Sequence, residues 1–305
     1  MSAIALYTAV YPAADRFLAS WYTSVQAQTD RDFDLWISLD GLTEATVEEH
    51  LGTRPVATFV VAEPGSTPAQ VRQQALSRIA DHYDAVVLVD SDDILHPDRV
   101  AAARASLEGA DVAACGLRLV DAEGQPLGVS LATPGEAGTE FALPRTNAFG
   151  LSNTVYRSDV LRACLPIPAA AALVDWYLIT MAWLQSARLA FDPTPRMDYR
   201  QHGTNMARIR SPFTAERVKA DTALVREHFR LVLDGLPTRA LPARAAQVRD
   251  AAADVAAFDQ RVVHDPAALS RYVRELNAAP PPVLWWASVA HPPLRSQWSI
   301  LKEPT

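Results

Sequence analysis

Four apolar residues in a row, Val86-Val87-Leu88-Val89, give way at once to Asp90-Ser91-Asp92-Asp93. A strand with no polar face must be covered on both sides, which is the condition of a central strand in an α/β sheet. The carboxylates begin where that strand ends, and open α/β sheets bind ligands beyond the carboxyl ends of their strands. Like charges massed there repel one another unless a cation offsets them. Hard oxygen donors select Mg2+ or Mn2+, ions that keep part of their water shell and recruit phosphate oxygens. The motif therefore reads as a metal-diphosphate site. An acidic turn that only caps the next helix is the plainest competitor. An EF-hand loop needs Gly at its sixth position, where Leu95 stands. A phosphatase of the haloacid-dehalogenase type would carry its acidic pair at the first strand, not the fourth.

The surrounding chain alternates short apolar runs with helical patterns, as α/β domains do. Ile4–Leu6, Leu35–Leu39, Val56–Val61, Ala85–Val89 and Val112–Leu119 read as strands. Phe17, Leu18, Trp21 and Val25 share one helical stripe, as do Val71, Ala75 and Ile79. Another helix is predicted after His96, with Pro97 and Asp98 suited to its first turn. From Gln125 to Asn153 neither period persists, which predicts loops and short strands covering a site. Helices return over Ser158–Cys164, with Ser158 as cap, and over Asp175–Ser186. Residues 1–212 then form one domain. Residues 213–305 form a helical extension of two or three helices over Thr214–Asn277, closed by a tail rich in Pro and Trp that wraps over the domain.

The chain of 305 residues is 49% hydrophobic, ample for a large core. Its net charge of −7 offers no field for a phosphate backbone or an anionic membrane, so nucleic acid is excluded as a partner. Met1 to Val10 lacks the cationic and long apolar regions of a secretory signal, and no apolar run reaches the roughly 20 residues of a membrane span. Cys115 and Cys164 have no metal or redox spacing and are expected as reduced, buried thiols. The expected location is the cytoplasm, with peripheral attachment at the inner membrane face as a variant of it. For the tryptophans of the tail (Trp285, Trp286, Trp298), packing on their own domain is expected. A membrane interface or a second subunit, making a homodimer, is the alternative.

Further motifs accompany the acidic one. Gln28-Thr29 and Phe33 precede Leu35-Trp36-Ile37-Ser38-Leu39-Asp40-Gly41; Val71-Arg72-Gln73-Gln74-Ala75 opens a helix; Leu173-Val174-Asp175-Trp176 opens another; and Tyr199-Arg200-Gln201-His202-Gly203-Thr204-Asn205 follows. In this order, from about Ile4 to Asn205, they resemble family 2 glycosyltransferases of GT-A fold. The resemblance implies an α/β fold with a Rossmann-like mixed sheet flanked by helices. It also implies a donor that is a nucleoside-diphosphate sugar, UDP- or TDP-linked before GDP-linked, and a carbohydrate or glycolipid acceptor. Asp40 would take a hydrogen bond from the base, Tyr11 would stack on it, and Arg72 would meet base or phosphate. Asp90, with Ser91 beside it, would hold ribose or metal waters. Asp92 would coordinate Mn2+ or Mg2+, with His202 completing the shell. Arg200 would neutralise the leaving group, and Asp175 would be the general base of an inverting displacement. The sequence departs from the family pattern at Gln73 and Ala75, at Val174, and around Tyr11.

Two rivals remain. A sugar-phosphate nucleotidylyltransferase would need a Gly-rich loop after the first strand, and Tyr7–Asp15 has no Gly. A non-catalytic protein that binds nucleotide sugars or scaffolds other enzymes would show no turnover. Dinucleotide and P-loop chemistry lack their glycine motifs.

Overall fold

A computed structural model describes residues 3–131, 143–203, 205–206, 209, 211–278 and 284–299. The segment 132–142 and Pro280–Pro282, both covered by the sequence expectations above, lie outside the described residues.

Among the described residues nine strands form one mixed sheet. In chain order they are β1 (Ile4–Val10), β2 (Asp34–Leu39), β3 (Thr58–Val61), β4 (Ala85–Leu88), β5 (Ile94–Leu95), β6 (Val112–Val120), β7 (Pro126–Leu131), β8 (Thr154–Arg157) and β9 (Leu189–Arg200). The spatial order is β3-β2-β1-β4-β8-β6-β9-β5, with β7 paired to β6. The first four of that order run parallel, Leu6 pairing with Leu35 on one side and Val87 on the other. Every residue of β1 is buried, Thr8 among the apolar ones, as a central strand covered on both faces requires. The second half is mixed: β8 runs antiparallel to β4 and β6, while β6 and β9 are parallel.

Helices α1 (Leu18–Gln26), α2 (Glu44–Leu51), α3 (Pro68–His82), α4 (Arg99–Ser106), α5 (Ser158–Cys164) and α6 (Val174–Leu184) flank the sheet. α3 starts with Pro68 in its first turn and a reciprocal cap between Thr67 and Gln70, which satisfies two orphan backbone donors. α6 is apolar on every side and buried, with Asp175 as its single charged residue. Beyond Phe213 come α7 (Ala215–Asp234), α8 (Pro242–Phe258) and α9 (Pro266–Ala278). Trp176 of α6 stacks on His228 of α7 at 4.2 Å. Burial drives that imidazole down to about 3, so it serves as a neutral ring. Both cysteines are buried and free. Among the described residues no helix is long and apolar enough to cross a membrane.

Several sequence expectations need correction. β1 runs on to Val10, because Thr8 is buried with the apolar residues around it. The helix after His96 begins at Arg99, with Asp98 before it. Ser158 is the first residue of α5 and not its cap; Arg157 holds that position, and no side chain caps the helix. α2 escaped the sequence reading because only Val47 of its eight residues is buried, leaving no stripe. β9 escaped it because Pro193, Pro195 and alternating charges hide a strand of twelve residues. Those prolines are tolerated because the β6/β9 register slips on either side of Gly116.

At that slip the two backbones nearly touch. A Cβ on Gly116 would lie 2.6 Å from the Pro193 carbonyl oxygen. Gly116→Ala must separate the strands, and a loss of about 1–3 kcal/mol is expected from such overpacking. The check is a denaturation midpoint, which should fall by several degrees; an unaltered midpoint contradicts this account of the bulge.

Candidate active site

The parallel strands end on a common edge, and one cavity of about 350 Å³ opens there. Tyr11 follows β1, Asp40 follows β2, and Asp90 and Asp92 follow β4; all four line the cavity. Arg72 reaches it from the first turns of α3 and Asp175 from the first turn of α6. Six residues singled out in the sequence therefore meet in one place, although 164 positions separate Tyr11 from Asp175.

The acidic turn is pinned from several directions. The Ser91 hydroxyl donates to the Ala9 carbonyl at 2.9 Å, fastening the turn to the end of β1. Ser152 accepts from the Asp90 N–H at 3.0 Å and donates to a carboxylate oxygen of Asp93. The other Asp93 oxygen accepts the Arg200 backbone N–H at 2.8 Å. The guanidinium of Arg200 donates to the carbonyls of Asp92 (2.7 Å) and Ala122 (2.8 Å) and stands over the Phe17 ring. His202 places Nε2 2.9 Å from Asp92 Oδ2, with its ring 4.9 Å from that of Phe17. Asn205 donates to the Arg200 carbonyl and accepts from the His202 N–H, which shapes the loop that presents the imidazole.

Three expected site residues do not reach the cavity. Ser91 is fully buried with its hydroxyl spent on Ala9, and Arg200 is 3% exposed with its guanidinium spent behind the turn. They hold the acidic turn in shape and present no group to a ligand. His202, with a side chain 1% exposed, lies behind Asp92.

Crowding shows in the titration. Burial, and after it the charges of Asp92 and Asp90, pushes Asp93 well above the usual carboxylate range. Burial and the Asp92 charge raise Asp90 too, against the pull of Arg72, whose Nη2 lies 3.4 Å from Asp90 Oδ1. Among the described residues Arg72 is the one cation on the cavity wall. Next to it in sequence, Gln73 accepts the Ile167 N–H at 2.7 Å. That bond ties α3 to the segment leading into α6.

Asp175 is raised to about 6, chiefly by burial and then by the charge of Asp90. The backbone N–H donor of Trp176 at the helix start and the Arg72 charge pull the other way. Sequence reasoning missed its nearest side-chain partner. Asn147 donates from Nδ2 to Asp175 Oδ2 at 2.9 Å, while its Oδ1 accepts the Phe149 N–H at 2.9 Å and so fixes the orientation of the amide. Asn147 lies in the stretch without periodicity, and only its buried, doubly bonded position distinguishes it.

Cation binding can be judged from the donors. Among the described residues no three or more His, Cys, Asp or Glu groups assemble as a metal cluster. The turn offers two donors, Asp92 Oδ2 and His202 Nε2, 2.9 Å apart. Carboxylate oxygen and imidazole nitrogen both suit a small divalent cation that takes its remaining ligands from water and phosphate; in the structure the two atoms are hydrogen-bonded to each other, and a cation held by both would replace that bond.

No family model and no curated protein matches the sequence. Solved structures do match in fold. S. aureus TarS, residues 1–349, superposes with a TM-score of 0.58 at 14% identity, over 90% of this chain and 78% of that one. The same fragment in complex with UDP-GlcNAc gives 0.51 at 13% identity, over 98% and 93%. The mannosyltransferase PcManGT from Pyrobaculum calidifontis, in complex with GDP-Man and Mn2+, gives 0.53 at 15% identity, over 98% and 88%. The chain has the mixed α/β, GT-A-like fold of these glycosyltransferases, a mixed sheet flanked by helices.

The raised Asp175 has a consequence for stability. Its folded value exceeds the unfolded one, so the stability it contributes is complete below about pH 4 and lost as pH rises through 6. Asp175→Asn removes an unfavourable charge at neutral pH. It should melt above the wild type at neutral pH by a margin that shrinks toward pH 4, as calorimetry can measure; equal midpoints throughout contradict it. Asn147→Ala deletes a donor to the charged form and should move the Asp175 carboxyl titration upward in 13C NMR.

Proposed function

We propose that this chain is a glycosyltransferase that moves a sugar from a nucleoside-diphosphate sugar to a hydroxyl of a saccharide or glycolipid acceptor, with inversion at the anomeric carbon. The observation that carries the proposal is the meeting of Tyr11, Asp40, Arg72, Asp90, Asp92 and Asp175 in one cavity at the carboxyl ends of parallel strands. Similar folds solved with UDP-GlcNAc, with UDP, and with GDP-Man and Mn2+ support the donor class. The order of the motifs supports assignment to family 2, with a uridine or thymidine donor favoured by the Asp40 and Arg72 pair.

In this reading Asp40 accepts from the nucleotide base, Tyr11 lies along its face, and Asp90 accepts from ribose hydroxyls. The fork of Arg72 suits diphosphate oxygens. Asp92 and His202 would hold a divalent cation, Mn2+ or Mg2+, which when bound supplies positive charge to the departing diphosphate. Asp175 acts at the acceptor. Its Oδ2 is occupied by Asn147, so Oδ1 takes the hydroxyl proton as the acceptor oxygen bonds to the anomeric carbon and the sugar-phosphate bond breaks. The electron pair of that bond leaves on the nucleoside diphosphate. A value near 6 keeps Asp175 ionised at neutral pH yet basic enough to receive the proton, so the rate should fall as pH drops below 6.

Thermal shift with UDP, TDP, GDP and CDP tests the binding half. At roughly millimolar nucleotide with Mn2+ at least one should raise the melting point, and Asp92→Asn should lose the part that depends on the metal. Turnover tests the chemistry: Asp175→Asn should release nucleoside diphosphate roughly 10²–10⁴-fold more slowly while still binding the nucleotide. A chain that binds none of the four, or an Asp175→Asn variant as fast as wild type, excludes the proposal. A scaffold would bind but turn over in neither form.

A further inference from the structure

The cavity wall combines two chemically different sets of residues. One is Asp40, Arg72, Asp90 and Asp92. The other is aromatic and aliphatic, with Trp285 and Trp286 from the segment beyond α9 beside Leu151 and Leu173. Asp175 is linked to both. It feels the charges of Asp90 and Arg72, and it receives the hydrogen bond of Asn147, whose backbone N–H reaches the Trp285 carbonyl at 3.4 Å.

The tryptophan segment is fastened at several points. The Trp285 ring packs edge-on to Tyr199 at 5.7 Å and passes so close to Gly150 that a Cβ there would meet its Cη2 at 2.9 Å. Downstream, Ser288 donates to Asp221 of α7 at 3.3 Å, and Tyr272 of α9 donates to the Ser288 carbonyl at 2.7 Å while accepting the His291 N–H at 3.0 Å. Between these anchors Trp286 adopts φ 67°, a conformation rarely held by a bulky residue, and its buried Nε1 has no partner among the described residues. Backbone strain is unfavourable, and a core contact alone would not select for it. It falls on the wall of the cavity that Asp175 also lines.

We propose that Trp285 and Trp286 form the acceptor subsite, a platform for a neutral pyranoside ring whose free hydroxyl reaches Asp175. The proposal rests on the transferase reading for its name, but the platform is defined by its own contacts. Indole faces match the C–H face of a sugar ring while leaving its hydroxyls at the edge to find polar partners. Charge selects against an anionic acceptor: Asp90, Asp92 and Asp175 face the space, and the cation Arg72 is already beside Asp90. The segment after α9, separated in sequence from the nucleotide motifs, thereby completes the site.

Saturation-transfer NMR on the full chain tests this without turnover. The probes are methyl β-glucopyranoside, methyl α-mannopyranoside and methyl N-acetyl-β-glucosaminide, each with UDP and diamagnetic Mg2+ present. At least one should receive saturation from the protein, and the signal should fall roughly fivefold or more in Trp286→Leu. Gly150→Ala keeps both tryptophans and displaces the Trp285 ring; it should show the same loss and serves if Trp286→Leu fails to fold. No signal from any glycoside, or full signal in both variants, overturns the subsite. Binding that depends on the indoles in a chain that turns over no nucleotide sugar keeps the subsite and removes the transferase reading. Nucleotide-sugar hydrolysis with no glycoside contact removes the subsite alone.

Discussion

Three carboxylates within four consecutive residues repel one another, and the surrounding structure is arranged to hold them together. The end of β9 does most of this. Arg200 gives a backbone N–H to Asp93 and one side-chain hydrogen bond to the Asp92 carbonyl, so it fixes the turn while Asp92 still lines the cavity. Ser152 and Ser91 bind the same turn to the segment before β8 and to the end of β1. Asp93, deepest of the three, is pushed toward its neutral form by burial and by its neighbours. The negative charge that remains faces the cavity on Asp90 and Asp92, where a cation or the Arg72 guanidinium can meet it.

Asp175 follows a related logic in a different setting. α6 is so apolar that it must be buried, and its one carboxylate sits in the first turn, where backbone N–H groups favour the anion. Burial raises its affinity for a proton, and the backbone N–H donors of the helix start with the charge of Arg72 limit that rise. The outcome is a group ionised at neutral pH yet able to accept a proton, at a cost to the stability of the fold. Strain at Trp286 follows the same pattern of local cost beside a cavity.

How much of this could be read from the sequence depended on range. The core strands were legible because an apolar run reports burial directly, and Tyr11, Asp40, Arg72, Asp90, Asp92 and Asp175 were legible because each sits where a strand ends or a helix begins. β9 was not, since its prolines and charges make sense only against the slipped register beside Gly116. Asn147 was not, because an isolated Asn in a segment without period carries no signal until its partner is known. Arg200 was found as a residue but given the wrong surroundings. An Arg two residues before a His reads as a free cation in sequence, and only the three-dimensional path of β9 shows its guanidinium already engaged.

By itself the sequence determined the periodicities, hence which segments become buried strands or helices, and it put acidic and basic groups at the ends of those segments; these are local properties that hydrophobic spacing and capping chemistry set. The tertiary structure alone decided which of those groups share one space. Distances such as the 2.9 Å from His202 to Asp92, and the return of Trp285 and Trp286 to a cavity formed by the first strands, depend on how the sheet is ordered and how the C-terminal helices pack. Contacts between residues far apart in the chain follow from the packing of the whole fold, and no local pattern encodes them.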